Sequence, residues 1–109
     1  MSARLYMAQR LTALLMAPLV LGHLALMIYA IRGGLSAAEI LGRTQGSVLW
    51  FAFYGLFVVA VSVHGAIGLR VIAQEWGGLR GVALDVFMWV AGFGLFALGA
   101  RAVWAVTFA

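Results

Sequence analysis

The chain has 109 residues, 66% of them hydrophobic and 9% charged, with a mean hydropathy of +1.12. Soluble domains carry about 25% charged residues, so a globular enzyme, a disordered tail and a nucleic-acid-binding domain are excluded despite a sequence pI near 10.8. Seven arginines without a lysine stand against Glu39, Glu75 and Asp85, an excess that reads as a topology signal rather than a nucleic-acid patch. Cysteine is absent, which removes thiolate-held iron-sulfur clusters, thioether-linked haem and disulfides.

A transmembrane helix needs roughly 20 mainly apolar residues, and three stretches qualify. Leu11 to Ile31 is the first, with Thr12, His23 and Tyr29 as its polar side chains. Pro18 frees the Leu14 carbonyl and predicts a kink a little over one turn before His23. In the first connection, Arg32 to Gly46, Ser36 and Glu39 have capping-box spacing and predict a short interfacial helix. Ser47 to Leu69 is the second span, with Trp50 and Tyr54 near its start and His64 toward its end. A compact connection, Arg70 to Gly81, leads to the third, Val82 to Val106, where Gly92, Gly94 and Gly99 allow close helix packing. The reading is an all-α membrane protein, a single three-helix domain over residues 1–109.

Arg4, Arg10, Arg70 and Arg80 fall on one side of this topology and Arg32, Arg43 and Arg101 on the other. The split favours a cytoplasmic N-terminus in a bacterial inner membrane. No signal-peptide cleavage pattern is visible, so the first stretch is expected to be retained as a helix.

Both histidines lie inside spans. An ionisable group there costs free energy and usually has a functional partner, and neutral imidazole is a common axial ligand for haem iron. By helical rise His23 sits roughly 3 Å beyond the middle of its span and His64 roughly 9 Å beyond the middle of the returning one, about 12 Å apart in depth. Two axial nitrogens on one iron lie only about 4 Å apart, so each histidine is expected to meet a ligand from another chain, and a partner of similar architecture would let the pair hold two haems stacked across the membrane. Ala60, Gly65 and Gly68 give His64 a flat flank, while Leu19, Val20, Leu26 and Met27 crowd His23. Two other readings stand beside this one. The histidines make helix-packing hydrogen bonds in a haem-free structural anchor, or they form a proton relay in a small transporter or channel, for which Thr12, Ser47 and Ser62 are few and scattered.

The segment Val63-His64-Gly65-Ala66-Ile67-Gly68-Leu69-Arg70-Val71-Ile72-Ala73-Gln74-Glu75-Trp76 resembles the second-helix signature of succinate dehydrogenase and fumarate reductase membrane anchors: His, a small residue, two variable positions, Gly, an apolar residue, often Arg, then an acidic-aromatic pair. The resemblance implies that His64 is an axial ligand of haem b and that Glu75 and Trp76 lie near a quinone site. Several members have Asp-Tyr at that pair, and Trp76 donates only from its indole N–H. Gln9-Arg10-Leu11-Thr12-Ala13 is similar to the family's first-helix entry, commonly His-Arg-apolar-Ser/Thr-Gly, with Gln9 and Ala13 departing from it. Leu21-Gly22-His23-Leu24 is similar to the first-helix haem ligand of two-haem anchors.

On this resemblance the chain is half of a haem-binding helix bundle completed by a second anchor chain, identical or a sister subunit, with one or two haems b per pair. It relays electrons between an iron-sulfur subunit and diffusible quinone. FAD and iron-sulfur clusters belong to the flavoprotein and iron-sulfur partners, no nucleic acid is involved, and lipids surround the bundle. Arg10, Arg70 and Arg101 are the candidate propionate partners, and Tyr6, Arg10, Glu75 and Trp76 the candidate quinone contacts. Interfacial arginines are also ordinary headgroup anchors, and Arg101, about 10 Å from the middle of its helix, either snorkels outward or pairs with an outer-side propionate.

Overall fold

The computed structural model describes residues 2–109, in four helices: α1 (Ala3–Gly33), α2 (Ala37–Thr44), α3 (Val48–Gly77) and α4 (Gly81–Thr107). In hydrocarbon a backbone finds no water, so each long segment satisfies its N–H and C=O groups internally as helix. Three helices are long and apolar enough to cross a membrane. Their 31, 30 and 27 residues give lengths of about 40–46 Å at 1.5 Å per residue, and the molecule's longest extent is 47 Å. That exceeds the roughly 30 Å hydrocarbon core, so the helix ends reach the headgroups. Helix α1 starts at Ala3 rather than Leu11 and α3 runs to Gly77 rather than Leu69, because Ser2 caps the one through its hydroxyl and Gly78, with φ +67°, stops the other. The Gly78 and Leu79 N–H groups both bond the Ala73 carbonyl, closing the helix end there. Pro18 is accommodated within α1, which continues unbroken to Gly33.

Helix α3 is the centre of the bundle, packed on α4 along one side and α1 along another. Lipid tails are as apolar as leucine, so these helices associate by close van der Waals approach. The buried α3 side chains are accordingly mostly small: Ala60, Ser62 and Ala66, with Ile67 beside them. On α4, a Cβ at Gly92 would lie 3.2 Å from Ala66 Cβ, and one at Gly99 would lie 2.6 Å from Val58 Cγ1. Most large apolar side chains, including Leu14, Leu21, Val90 and Leu98, are exposed on the outside, where lipid or a partner covers them.

At the end where α1 finishes, α2 locks onto the last turn of α4. Ser36 accepts a hydrogen bond from the Glu39 N–H and starts α2, as the capping spacing predicts. Thr44, 2% exposed, donates to the Val106 carbonyl at 2.7 Å, and the Gly46 N–H donates to the Thr107 carbonyl. These bonds satisfy carbonyls that a helix C-terminus otherwise leaves open. Arg43 lies over the Tyr29 ring at 4.9 Å, tying α2 to α1 as well.

Gly99→Ala is expected to lower the thermal midpoint in micelles by the equivalent of about 1–3 kcal/mol, because the new methyl meets the stiff Val58 side chain. Gly94→Ala, with no other group within 4 Å, is expected to leave it unchanged or raise it. Circular dichroism melts of the two variants against the parent check this.

Candidate functional site

The α1/α3 seam carries both histidines. Gly68 faces Gln9, with a Cβ there 3.6 Å from Gln9 Nε2, and Gly22 faces Phe53 in the same way at 3.5 Å. This antiparallel register places His64 beside Thr12: the two side chains meet with Nδ1 3.2 Å from the hydroxyl oxygen. Thr12 is itself turned back on α1, with the Ala8 carbonyl oxygen at 2.7 Å and that of Gln9 at 3.0 Å. The Nε2 of His64 is not part of this contact. One turn away, Gln9 Oε1 is buried without a hydrogen-bond partner, a vacancy that costs about 1–3 kcal/mol unless a donor arrives from outside.

His23 lies eleven residues farther along α1, about 16 Å in depth from the Thr12–His64 level. This is wider than the roughly 12 Å expected from the spans, because α1 and α3 extend differently about their apolar stretches. Its ring meets Phe57 and Tyr54 edge-on, with centroids at 5.3 and 6.3 Å. Among the described residues neither ring nitrogen of His23 has a hydrogen-bond partner. The ring borders a cleft of about 360 Å³ lined also by Ile40, Thr44, Gly99 and Val103. The sequence suggests the flatter surroundings for His64; the structure gives the cleft to His23. Ala60 is 1% exposed, Gly65 faces Leu95 of α4 and Gly68 faces Gln9, so His64's small neighbours serve helix packing.

The arginines divide into paired and open. Arg70 Nη1 is 2.5 Å from Asp85 Oδ1 across the α3–α4 turn, with side-chain exposures of 18% and 59%. Arg10 donates to the Tyr6 hydroxyl at 3.2 Å and stacks over that ring at 5.6 Å, so these two quinone-site candidates form one exposed unit at the start of α1. Glu75 and Trp76 are exposed on the final turn of α3, with Trp76 at 86%. By the Gln9–Gly68 register, Trp76 stands about 8 Å beyond Tyr6 along the membrane normal, so the four candidates do not share one level within this chain. Arg101 is exposed on α4. By the Gly99–Val58 and Gly22–Phe53 registers, Arg101 lies within about 5 Å of His23 in depth. Among the described residues no three His, Cys, Asp or Glu side chains converge as a metal site.

A model of the succinate dehydrogenase/fumarate reductase transmembrane subunit matches residues 1–108. The chain belongs to that family. It is therefore a membrane-anchor subunit and a multi-pass membrane protein, and membership implies association with the flavoprotein and iron-sulfur subunits of such a complex. No curated protein and no solved structure matches the chain. Within the anchor, Thr12 and Gln9 were not singled out as site residues: Thr12 matches the Ser/Thr position of the first-helix entry motif without a role attached to it, and Gln9 stands as a departure from the motif's histidine. The available signal was spacing, since Gln9 and Thr12, three apart, share one face of the same helix.

Asp85→Asn in the anchor is expected to reduce stability by no more than about 1 kcal/mol, because the carboxylate is more than half exposed and its pair with Arg70 is screened. Thermal unfolding at low and high salt checks this, with the difference between parent and variant shrinking as salt rises.

Proposed function

We propose that this anchor binds haem b and relays electrons between the iron-sulfur subunit and membrane quinone. The observation that carries the reading is the pair of open imidazoles in one seam, about 16 Å apart in depth: His64 has Nε2 uncommitted and His23 has neither nitrogen bonded. That spacing is four times the roughly 4 Å that two axial nitrogens on one iron require, which favours two haems, one toward each face, each completed by a second anchor chain. The residues fit such a group. A porphyrin would supply the iron's other ligands, so one imidazole from this chain suffices at each site, and the apolar cleft at His23 offers a lining for its ring.

Bound haem supplies a one-electron carrier within the hydrocarbon layer. The chain's residues would hold and orient it: His64 and His23 as imidazole donors to the iron, Arg101 as a propionate partner near His23's depth, and Arg10 and Arg70 as propionate partners toward the other face. Arg70 keeps donors beyond the one given to Asp85. At the quinone, Arg10 with Tyr6 is the unit best placed to polarise a carbonyl oxygen, and Glu75 with the Trp76 indole N–H stands nearer the docking surface for the iron-sulfur subunit. The membrane is a bacterial inner membrane on this reading, and the four-to-three split of the arginines supports a cytoplasmic N-terminus. A haem-free structural anchor is the second reading, favoured by one observation, the Thr12–His64 contact between helices.

A dithionite-reduced minus oxidised spectrum of the intact complex in mild detergent tests the proposal, with haem quantified per anchor and repeated on His23→Ala and His64→Ala. A b-type spectrum diminished by each substitution supports two haems. Loss with His64→Ala alone reduces the count to one. No haem absorbance from material with its partners intact overturns the reading in favour of the structural anchor.

A further inference from the structure

The Thr12 hydroxyl has one proton to give. Two of its neighbours, the Ala8 and Gln9 carbonyl oxygens, accept only, and the Ala8 oxygen is the closest of its partners at 2.7 Å, against 3.2 Å for His64 Nδ1. With the proton directed into α1's own backbone, the oxygen meets the imidazole with a lone pair. A lone pair opposite an unprotonated Nδ1 would repel it, and the seam's low dielectric would sharpen that repulsion. Opposite Nδ1–H it accepts a hydrogen bond.

We infer that Thr12 is a positioning residue that holds His64 as the Nδ1–H tautomer and thereby selects Nε2 as the nitrogen free to bind a metal. The tautomer is a property of the polypeptide; its use toward iron rests on the haem reading above. Two consequences follow for a ligand at Nε2. The bond fixes the ring between two helices, so its plane is set before the ligand arrives. It also draws the Nδ1 proton toward oxygen, which makes Nε2 a stronger donor and favours the ferric state. Thr12 itself touches neither iron nor quinone in this scheme.

The test begins on the full-length chain without haem, labelled with ¹⁵N-histidine and reconstituted in lipid bilayers, where protonated and unprotonated ring nitrogens resolve by chemical shift. His23→Gln removes the signals of the other histidine. The expected spectrum shows His64 protonated at Nδ1, retained in Thr12→Ser and shifted toward the Nε2–H form in Thr12→Val, which keeps the shape and removes the acceptor. A parent chain found as Nε2–H, or a Thr12→Val spectrum identical to the parent's, overturns the inference. On the intact complex, Thr12→Val is expected to weaken haem retention by about 10–100-fold and to raise the haem midpoint potential, with Thr12→Ser restoring both. If His64→Ala strips the haem while Thr12→Val leaves retention and potential unchanged, the positioning role is overturned. If the parent complex holds no haem, the haem reading fails, and the nitrogen spectra alone decide the tautomer.

Discussion

Close approach between helices is the constraint on which the rest of this structure depends. Solvent cannot drive apolar surfaces together here, because the surrounding hydrocarbon is itself apolar, and what remains is shape. Helix α3 supplies it on two sides at once. Ala66 and Gly65 admit α4, whose Gly92 and Gly99 leave room for Ala66 and Val58, while Gly68 admits α1 at Gln9. Every statement about the site descends from that arrangement. The register of α1 against α3 brings Thr12 to His64, and the register of α4 against α3 sets Arg101 near His23's depth.

The two ends of the bundle are closed by different means, and the difference bears on function. One end has a tight glycine-stopped turn with the Arg70–Asp85 pair beside it. The other has α2, a helix held by side-chain and backbone hydrogen bonds to the last carbonyls of α4. Thr44 takes part in that latch and also lines the His23 cleft. The walls of the cleft are therefore held by the same bonds that satisfy the α4 terminus, so the surroundings of His23 are tied to the stability of the bundle end. His64, by contrast, is held by a neighbouring helix face through one hydroxyl.

These placements separate the two histidines in character. His64 is a tethered imidazole with one nitrogen committed and small neighbours absorbed into packing. His23 is an untethered imidazole against aromatic edges, facing open volume. Under the haem reading proposed for this anchor, a seam that fixes one ring and leaves the other free would give the two sites unequal environments, since hydrogen bonding to the distal nitrogen and the polarity around the ring are both levers on the potential of a bound metal.

Much of the architecture was legible from the residues. Hydropathy and length determined the three spans, Ser36 and Glu39 determined α2, and the placement of two histidines in charge-poor helices pointed to a ligand site, because the cost of polar groups in hydrocarbon makes each of them informative. The signature from His64 to Trp76 carried the family, which the match over residues 1–108 shows. The helix ends were less legible, since α1 and α3 continue past the hydrocarbon into headgroup depth, where exposed polar residues such as Gln74 and Glu75 sit in helix at little cost. Only the tertiary structure decided which side chains meet: Thr12 with His64, Arg70 with Asp85, Gly65 with Leu95. Such contacts depend on the rotation and axial offset of one helix against another, set by interlocking of small residues on both surfaces, and a single chain's sequence order contains neither quantity.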